Sequence, residues 1–225
     1  GEPVAMAFMP YGYNAFVLHY SVGRSGENGV FPKQLIEASK AIKHIKDNAK
    51  EYNIDPEEVF AVGFSAGGHL AGSLATMWNI KEVYDAIDME YGYNKVKGAM
   101  LIYPLVTAMK MYGVDHEECY ENLLGSDFGN QEKFEKVSLE RQVTKDACPI
   151  FMTLCANDVV VSAKNALCLA EAYADNDIPY ELHIYPKSKH GFCLANKITK
   201  CNEEKWEDAS IAKWVENAVY WADRV

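Results

Sequence analysis

The stretch "GFSAGGHLAG", residues 63–72, sets one serine among four glycines. Just before it, Val59-Phe60-Ala61-Val62 is a continuous apolar run with a β-branched residue at each end, the pattern of a strand buried on both faces of a parallel sheet. After it, Leu70, Leu74 and Trp78 recur four apart, which is helical spacing. Ser65 therefore stands at a strand-to-helix corner. A turn that sharp calls for missing Cβ atoms, and glycines 63 and 67 are expected to supply them where backbone passes close to backbone. This G-x-S-x-G spacing is a nucleophile elbow, which holds a hydroxyl above a sheet and aims a helix N-terminus at it.

Further apolar runs read as strands at 15–18, 99–103, 150–155 and 180–185, three of them bounded by Pro104, Pro149 and Pro186. Between them, helical periodicity covers about 3–9, 32–52, 162–175 and 205–223. In 32–52 the apolar positions Leu35, Ala38, Ile42, Ile45, Ala49 and Tyr52 make one stripe. Strands alternating with helices define an α/β fold, a mostly parallel sheet wrapped by helices on both faces. All 225 residues fit one domain. The exception to the alternation is 105–147, a polar stretch with helical pieces near 116–124 and 131–141. Inserted over the carboxyl ends of the strands, it reads as a lid, with residues 109–119 expected to wall the pocket beside Ser65.

A net charge of −10 disfavours nucleic acid and anionic membrane as partners. No apolar stretch approaches the roughly 20 residues a bilayer requires. The six cysteines include no C-x-x-C pair, and Cys155 and Cys168 fall inside an expected strand and helix. Such thiols suit a reduced, cytoplasmic protein, although the even count leaves a secreted one open. The chain opens at Gly1 without an initiator Met, so it carries no testimony on targeting. "HEEC" at 116–119 has metal-like spacing but no second ligand pair, so no metal is expected. A homo-oligomer is compatible with the sequence.

A serine hydroxyl attacks only if a base takes its proton and an acid orients that base. In α/β hydrolases these follow in the chain order Ser, Asp/Glu, His, each on a loop after a strand. "CANDVVV" puts Asp158 just past the fourth strand, and "YPKSKHGF" puts His190 just past the fifth. Ser65, Asp158 and His190 are thus the candidate catalytic residues, with the Ala66 N–H as an oxyanion donor. Asp158 could instead cap the following helix. His69, one turn below Ser65, reads as a buried hydrogen-bonded residue, and His19, His44 and His183 as structural or solvated ones.

The segments "GEPVAMAF", "GYNAFVLHYSV", "FPKQL", "NIDPEEVFAVGFSAGGHLAGSLAT", "SLERQVT", "LCANDVVV" and "HIYPKSKHGFCLA" together resemble the bacterial α/β-hydrolase esterases of the acetyl, acetyl-xylan and feruloyl esterase-like kind. The resemblance implies Ser65 as nucleophile, Asp158 as acid, His190 as base, no cofactor, and a serine carboxylesterase acting on small acyl esters, O-acetyl groups on carbohydrate above all. The rival readings are a serine peptidase of prolyl oligopeptidase type and a catalytically inactive binding module of the same fold. At "NDVVVSA" the chain departs from relatives that more often carry a second acid and a proline there. It also begins after the position of the family's oxyanion loop and the strand before it. That strand, expected between 15–18 and 59–62, and the second oxyanion donor are looked for in an upstream extension of roughly 40–60 residues.

Overall fold

The computed structural model describes residues 1–23, 30–109, 116–199 and 207–225. Among these, four parallel strands pair in chain order: β1 (Phe60–Phe64), β2 (Gly98–Ile102), β3 (Ile150–Cys155) and β4 (Tyr180–Tyr185). Val62 lies opposite Met100, Leu101 opposite Met152, and Met152 opposite Leu182. β3 opens directly after Pro149 and β4 stops before Pro186, since proline brings no N–H to a ladder. Parallel neighbours need crossovers, and helices supply them.

Alternate residues of β1 show which layer covers which face. Gly63 meets α4 (Ala66–Thr76), so closely that a Cβ on it would stand 2.0 Å from the Gly67 carbonyl oxygen. Phe60 and Phe64 point the other way, their rings 6.0 and 5.9 Å from Trp221 and Trp214 of α9 (Trp214–Ala222). Phe8 of α1 (Glu2–Phe8) adds its ring 6.0 Å from Trp214. On the α4 face, α2 (Lys33–Asp47) packs behind α4. The expected single helix over 32–52 breaks at Asn48, whose amide donates to the His44 carbonyl at 2.7 Å, and resumes as α3 (Ala49–Tyr52). The short α5 (Lys81–Ala86) follows α4. In the stretch 105–147, α6 (Glu117–Leu124) and α7 (Gln131–Val137) bury Tyr120, Leu124, Phe134 and Val137 in a small core of their own. α8 (Lys164–Asp175) joins β3 to β4, its Tyr173 hydroxyl donating to the Cys148 carbonyl at 3.0 Å.

The expected strand at 15–18 is absent from the sheet. Apolar content favours a strand, but a strand exists only through a neighbour's hydrogen bonds, and no described strand runs beside these residues. β1 is correspondingly an edge. Ser65 N–H donates to Ile102 O and Lys97 N–H to Val59 O, so the odd-numbered residues face β2. Parallel geometry then turns the main-chain groups of Phe60, Val62 and Phe64 to the open side. Among the described residues no helix is long and apolar enough to cross a membrane.

Candidate active site

Ser65 joins β1 to α4 with φ 52° and ψ −116°, a left-handed conformation that costs an L-residue about 1–3 kcal/mol. Its backbone is held on three sides, because Ser65 N–H donates to Ile102 O while Ser65 O accepts from His69 and Leu105 N–H. The close approaches that make the corner possible belong to Gly63 and to Gly68, where a Cβ would stand 2.9 Å from the Pro104 Cβ. Gly67 was expected to share this burden, yet a Cβ there would meet only the Tyr20 hydroxyl, at an ordinary 3.5 Å. Ala66 opens α4, and its N–H is among those a helix leaves without an internal acceptor. The partial positive charge of the helix start is therefore aimed at the serine.

Asp158 and His190 arrive on the loops after β3 and β4. Two hydrogen bonds tie the loops together, Ala156 N–H to Tyr185 O at 2.8 Å and Ser188 N–H to the Asn157 side-chain oxygen at 2.9 Å, while Asp158 N–H to Cys155 O at 3.2 Å closes the turn after β3 on itself. The Asp158 carboxylate divides its oxygens. Oδ1 accepts from the Val160 and Val161 N–H groups at 2.9 Å each, a local turn and not a cap of α8. Oδ2 lies 2.7 Å from His190 Nδ1. Burial alone would raise this carboxyl's pKa, but the hydrogen bonds from His190, Val161 and Val160 outweigh it and hold it below the ordinary carboxylate range. A carboxylate at Oδ2 requires the proton on Nδ1, which leaves Nε2 as an acceptor. The Ser65 hydroxyl stands 2.9 Å from that Nε2.

One residue that holds the imidazole was not legible beforehand. Tyr103, directly after β2, has φ 40° and packs its ring 4.8 Å from that of His190. Its hydroxyl accepts from Cys193 N–H at 3.3 Å, and Trp214 Nε1 donates to the Cys193 carbonyl at 2.9 Å. The loop carrying His190 is thus pinned to β2 and to α9. Burial raises the Tyr103 phenol pKa, so the ring stays neutral. The other histidines stand apart. His69 is buried on α4, donates from Nε2 to Val137 O at 2.7 Å, and is kept below its usual pKa by burial. His183 lies in β4, while His19 sits in the segment that forms no strand.

A cavity of about 180 Å³ opens beside Ala66. Its wall from the 105–147 stretch consists of Leu105, Cys119, Tyr120, Asn122 and Leu123. Of the expected 109–119 wall, residues 110–115 lie outside the described ones. Met109 itself packs against the small core around Tyr120.

A parallel sheet wound by helices, with a serine at the turn after one strand and an acid and a histidine after two later ones, is the architecture of the α/β hydrolases. The chain belongs to the BD-FAE family, whose model matches residues 2–173. The endo-1,4-β-xylanase B of Butyrivibrio fibrisolvens is 32% identical over 200 residues, 87% of this chain and 30% of that protein. The acetylxylan esterase of Xylanibacter ruminicola is 26% identical over 159 residues, 69% of this chain and 30% of that one. The chain thus spans about a third of the length of the curated relatives it matches. Among solved structures, the carboxylesterase Cest-2923 of Lactobacillus plantarum superposes with a TM-score of 0.85 at 22% identity, over 99% of this chain and 78% of that one. The acetyl ester-xyloside bifunctional hydrolase of Caldicellulosiruptor lactoaceticus gives 0.78 at 27%, over 100% and 76%.

Proposed function

We propose that this chain is a serine carboxylesterase that removes small acyl groups, O-acetyl groups on carbohydrate foremost, through an acyl-enzyme on Ser65. The observation that carries the reading is the pair of contacts on one imidazole: Ser65 Oγ at 2.9 Å from Nε2 and Asp158 Oδ2 at 2.7 Å from Nδ1. The carbohydrate part rests on the relatives named as an acetylxylan esterase and an acetyl ester-xyloside hydrolase.

The Ser65 proton passes to His190 Nε2 as Oγ attacks the ester carbonyl carbon. The carbonyl oxygen becomes an oxyanion facing the Ala66 N–H at the start of α4. Asp158 keeps the imidazole in the Nδ1–H tautomer and stabilises the imidazolium. Collapse of the tetrahedral species breaks the carbon–oxygen bond, and Nε2 returns its proton to the departing alcohol. Water, deprotonated by the same nitrogen, then releases the acid and restores Ser65. None of these steps asks for a cofactor.

The test is turnover of p-nitrophenyl acetate and release of acetate from acetylated xylo-oligosaccharides by the protein and by Ser65→Ala. Wild-type turnover that disappears in the variant supports the reading. Equal activity in both moves the nucleophile elsewhere, and no wild-type activity favours a binding module.

A further inference from the structure

We infer that Asn157 is a positioning residue, whose side chain holds the loop of His190 at the distance from Asp158 that the acid–base contact requires. The kinetic readout of this inference rests on the acyl-enzyme reading above, which makes no use of Asn157.

The two loops part where the sheet ends. β3 and β4 pair up to Cys155 and Tyr185, and the Ala156 N–H bond to Tyr185 O extends the ladder by one step. Pro186 follows directly and has no N–H to carry the pairing on. Asp158 and His190 both lie past that point, so another contact must set the gap between them.

Each group is first fixed within its own surroundings. Asp158 Oδ1 is held by the Val160 and Val161 N–H groups of its own turn. The far end of the His190 loop is held where Cys193 N–H donates to the Tyr103 hydroxyl and Trp214 Nε1 donates to the Cys193 carbonyl. The near end is held by Asn157, whose Oδ1 accepts from Ser188 N–H at 2.9 Å. An amide accepts only through its oxygen, so the Ser188 donor also fixes which way the Asn157 side chain is turned. Consecutive residues of one loop thus grip the other at two points, Asn157 at Ser188 and Asp158 at His190 Nδ1. A single contact lets two loops hinge about it, and the second removes that freedom.

The bond matters more for geometry than for folding. Asn157 is exposed, and water replaces a lost surface hydrogen bond at little cost. The contact it aligns, however, sets the tautomer that leaves Nε2 able to accept from Ser65. A misplacement of about 1 Å in such a constellation can cost on the order of 10²-fold in rate.

The experiment compares the protein with Asn157→Ala and Asn157→Asp. It reads kcat and KM for p-nitrophenyl acetate, the urea midpoint, and the low-field proton NMR signal of His190 Nδ1–H, assigned by its loss in His190→Gln. Alanine removes the acceptor, whereas aspartate keeps an oxygen in the same place. In Asn157→Ala, kcat should fall about tenfold or more while KM and the urea midpoint stay as in wild type. The Nδ1–H signal should weaken there through exchange with water, and Asn157→Asp should bring back both signal and kcat. A lower midpoint with kcat and signal unchanged makes Asn157 merely structural and overturns the inference. A fall in kcat that aspartate does not restore, or one with the signal intact, overturns it as well. The signal needs no turnover, so the two readings separate. If wild type cleaves no ester while the signal is lost in Asn157→Ala and regained in Asn157→Asp, the positioning role stands and the esterase reading falls.

Discussion

β1 and β3 each deliver a residue to the same site, yet they are supported in opposite ways. All six residues of β3 are buried, with β2 on one side and β4 on the other. Among the described residues β1 has a neighbour on one side only, Val62 in its centre is 38% exposed, and Phe16 and Leu18 of the unpaired segment are 46% and 40% exposed. The end of β3 holds Asp158 with local N–H groups and a tie to the next loop. The end of β1 holds Ser65 through β2 and α4. Among the described residues, each of the two corners is thus held by bonds at its own turn. The bonds from Ile102 O and Leu105 N–H anchor Ser65 from the well-packed side of the sheet.

If that is right, the two ends should matter comparably for chemistry while the strands behind them differ in stability. The largest effect is expected from Ser65→Ala, a loss on the order of 10⁶ in kcat by analogy with a serine protease nucleophile. Among the described residues its hydroxyl hydrogen-bonds to His190 alone, so the urea midpoint should barely move. A variant that loses activity only by unfolding would show Ser65 to be structural.

Asp158→Asn should come next, with kcat lower by about 10⁴ because an amide opposite Nδ1 favours the wrong tautomer. Its Oδ1 can still accept from Val160 and Val161, so folding should survive. Activity within a factor of ten of wild type would show that His190 is oriented by Tyr103 and its loop instead.

The reach of sequence reasoning follows the same division. β3 and β4 were expected at 150–155 and 180–185, and they occupy those residues, because prolines mark their ends and their neighbours lie within the chain. Ser65, Asp158 and His190 were legible because motif and chain order announce them. The run at 15–18 forms no strand among the described residues, because its pairing was expected from a strand that the sequence from Gly1 onward does not include. Tyr103 was invisible for another reason: its role comes from φ 40° and a ring contact made across the fold. The Gly67 expectation failed alike, because the motif names the glycines but only the helix position tells which one is crowded.

Core truncation should separate the two strands directly. Phe151 on β3 is fully buried, its ring 5.2 Å from His183 and 6.0 Å from Trp221. Phe151→Ala should cost about 3–5 kcal/mol, read as a lower urea midpoint at constant slope. Acid should act through the same end of the sheet. The Asp158 carboxyl titrates below the ordinary range when folded, so its contribution is complete above the unfolded pKa of about 3.9 and is lost as pH falls through the folded value. Between pH 6 and pH 3 wild type should therefore lose more stability than Asp158→Asn. Equal losses would assign acid sensitivity to other carboxylates.

The smallest effect should come from Leu18→Ala. Leu18 lies in a segment without strand pairing and keeps 40% of its surface in water. Truncation there removes few contacts, and exposed substitutions of this kind usually fall within about 0.5 kcal/mol. Val62→Thr should behave the same way, because threonine keeps the β-branched shape a strand favours and places its hydroxyl where water already reaches. Both belong beside Phe151→Ala in one denaturation series. A cost near 2 kcal/mol at Leu18 or Val62 would mean that these side chains are covered in solution, as a Leu truncated in a packed interior is. The open side of β1 would then be a buried strand position like β3, and the contrast between the two ends of the sheet would disappear.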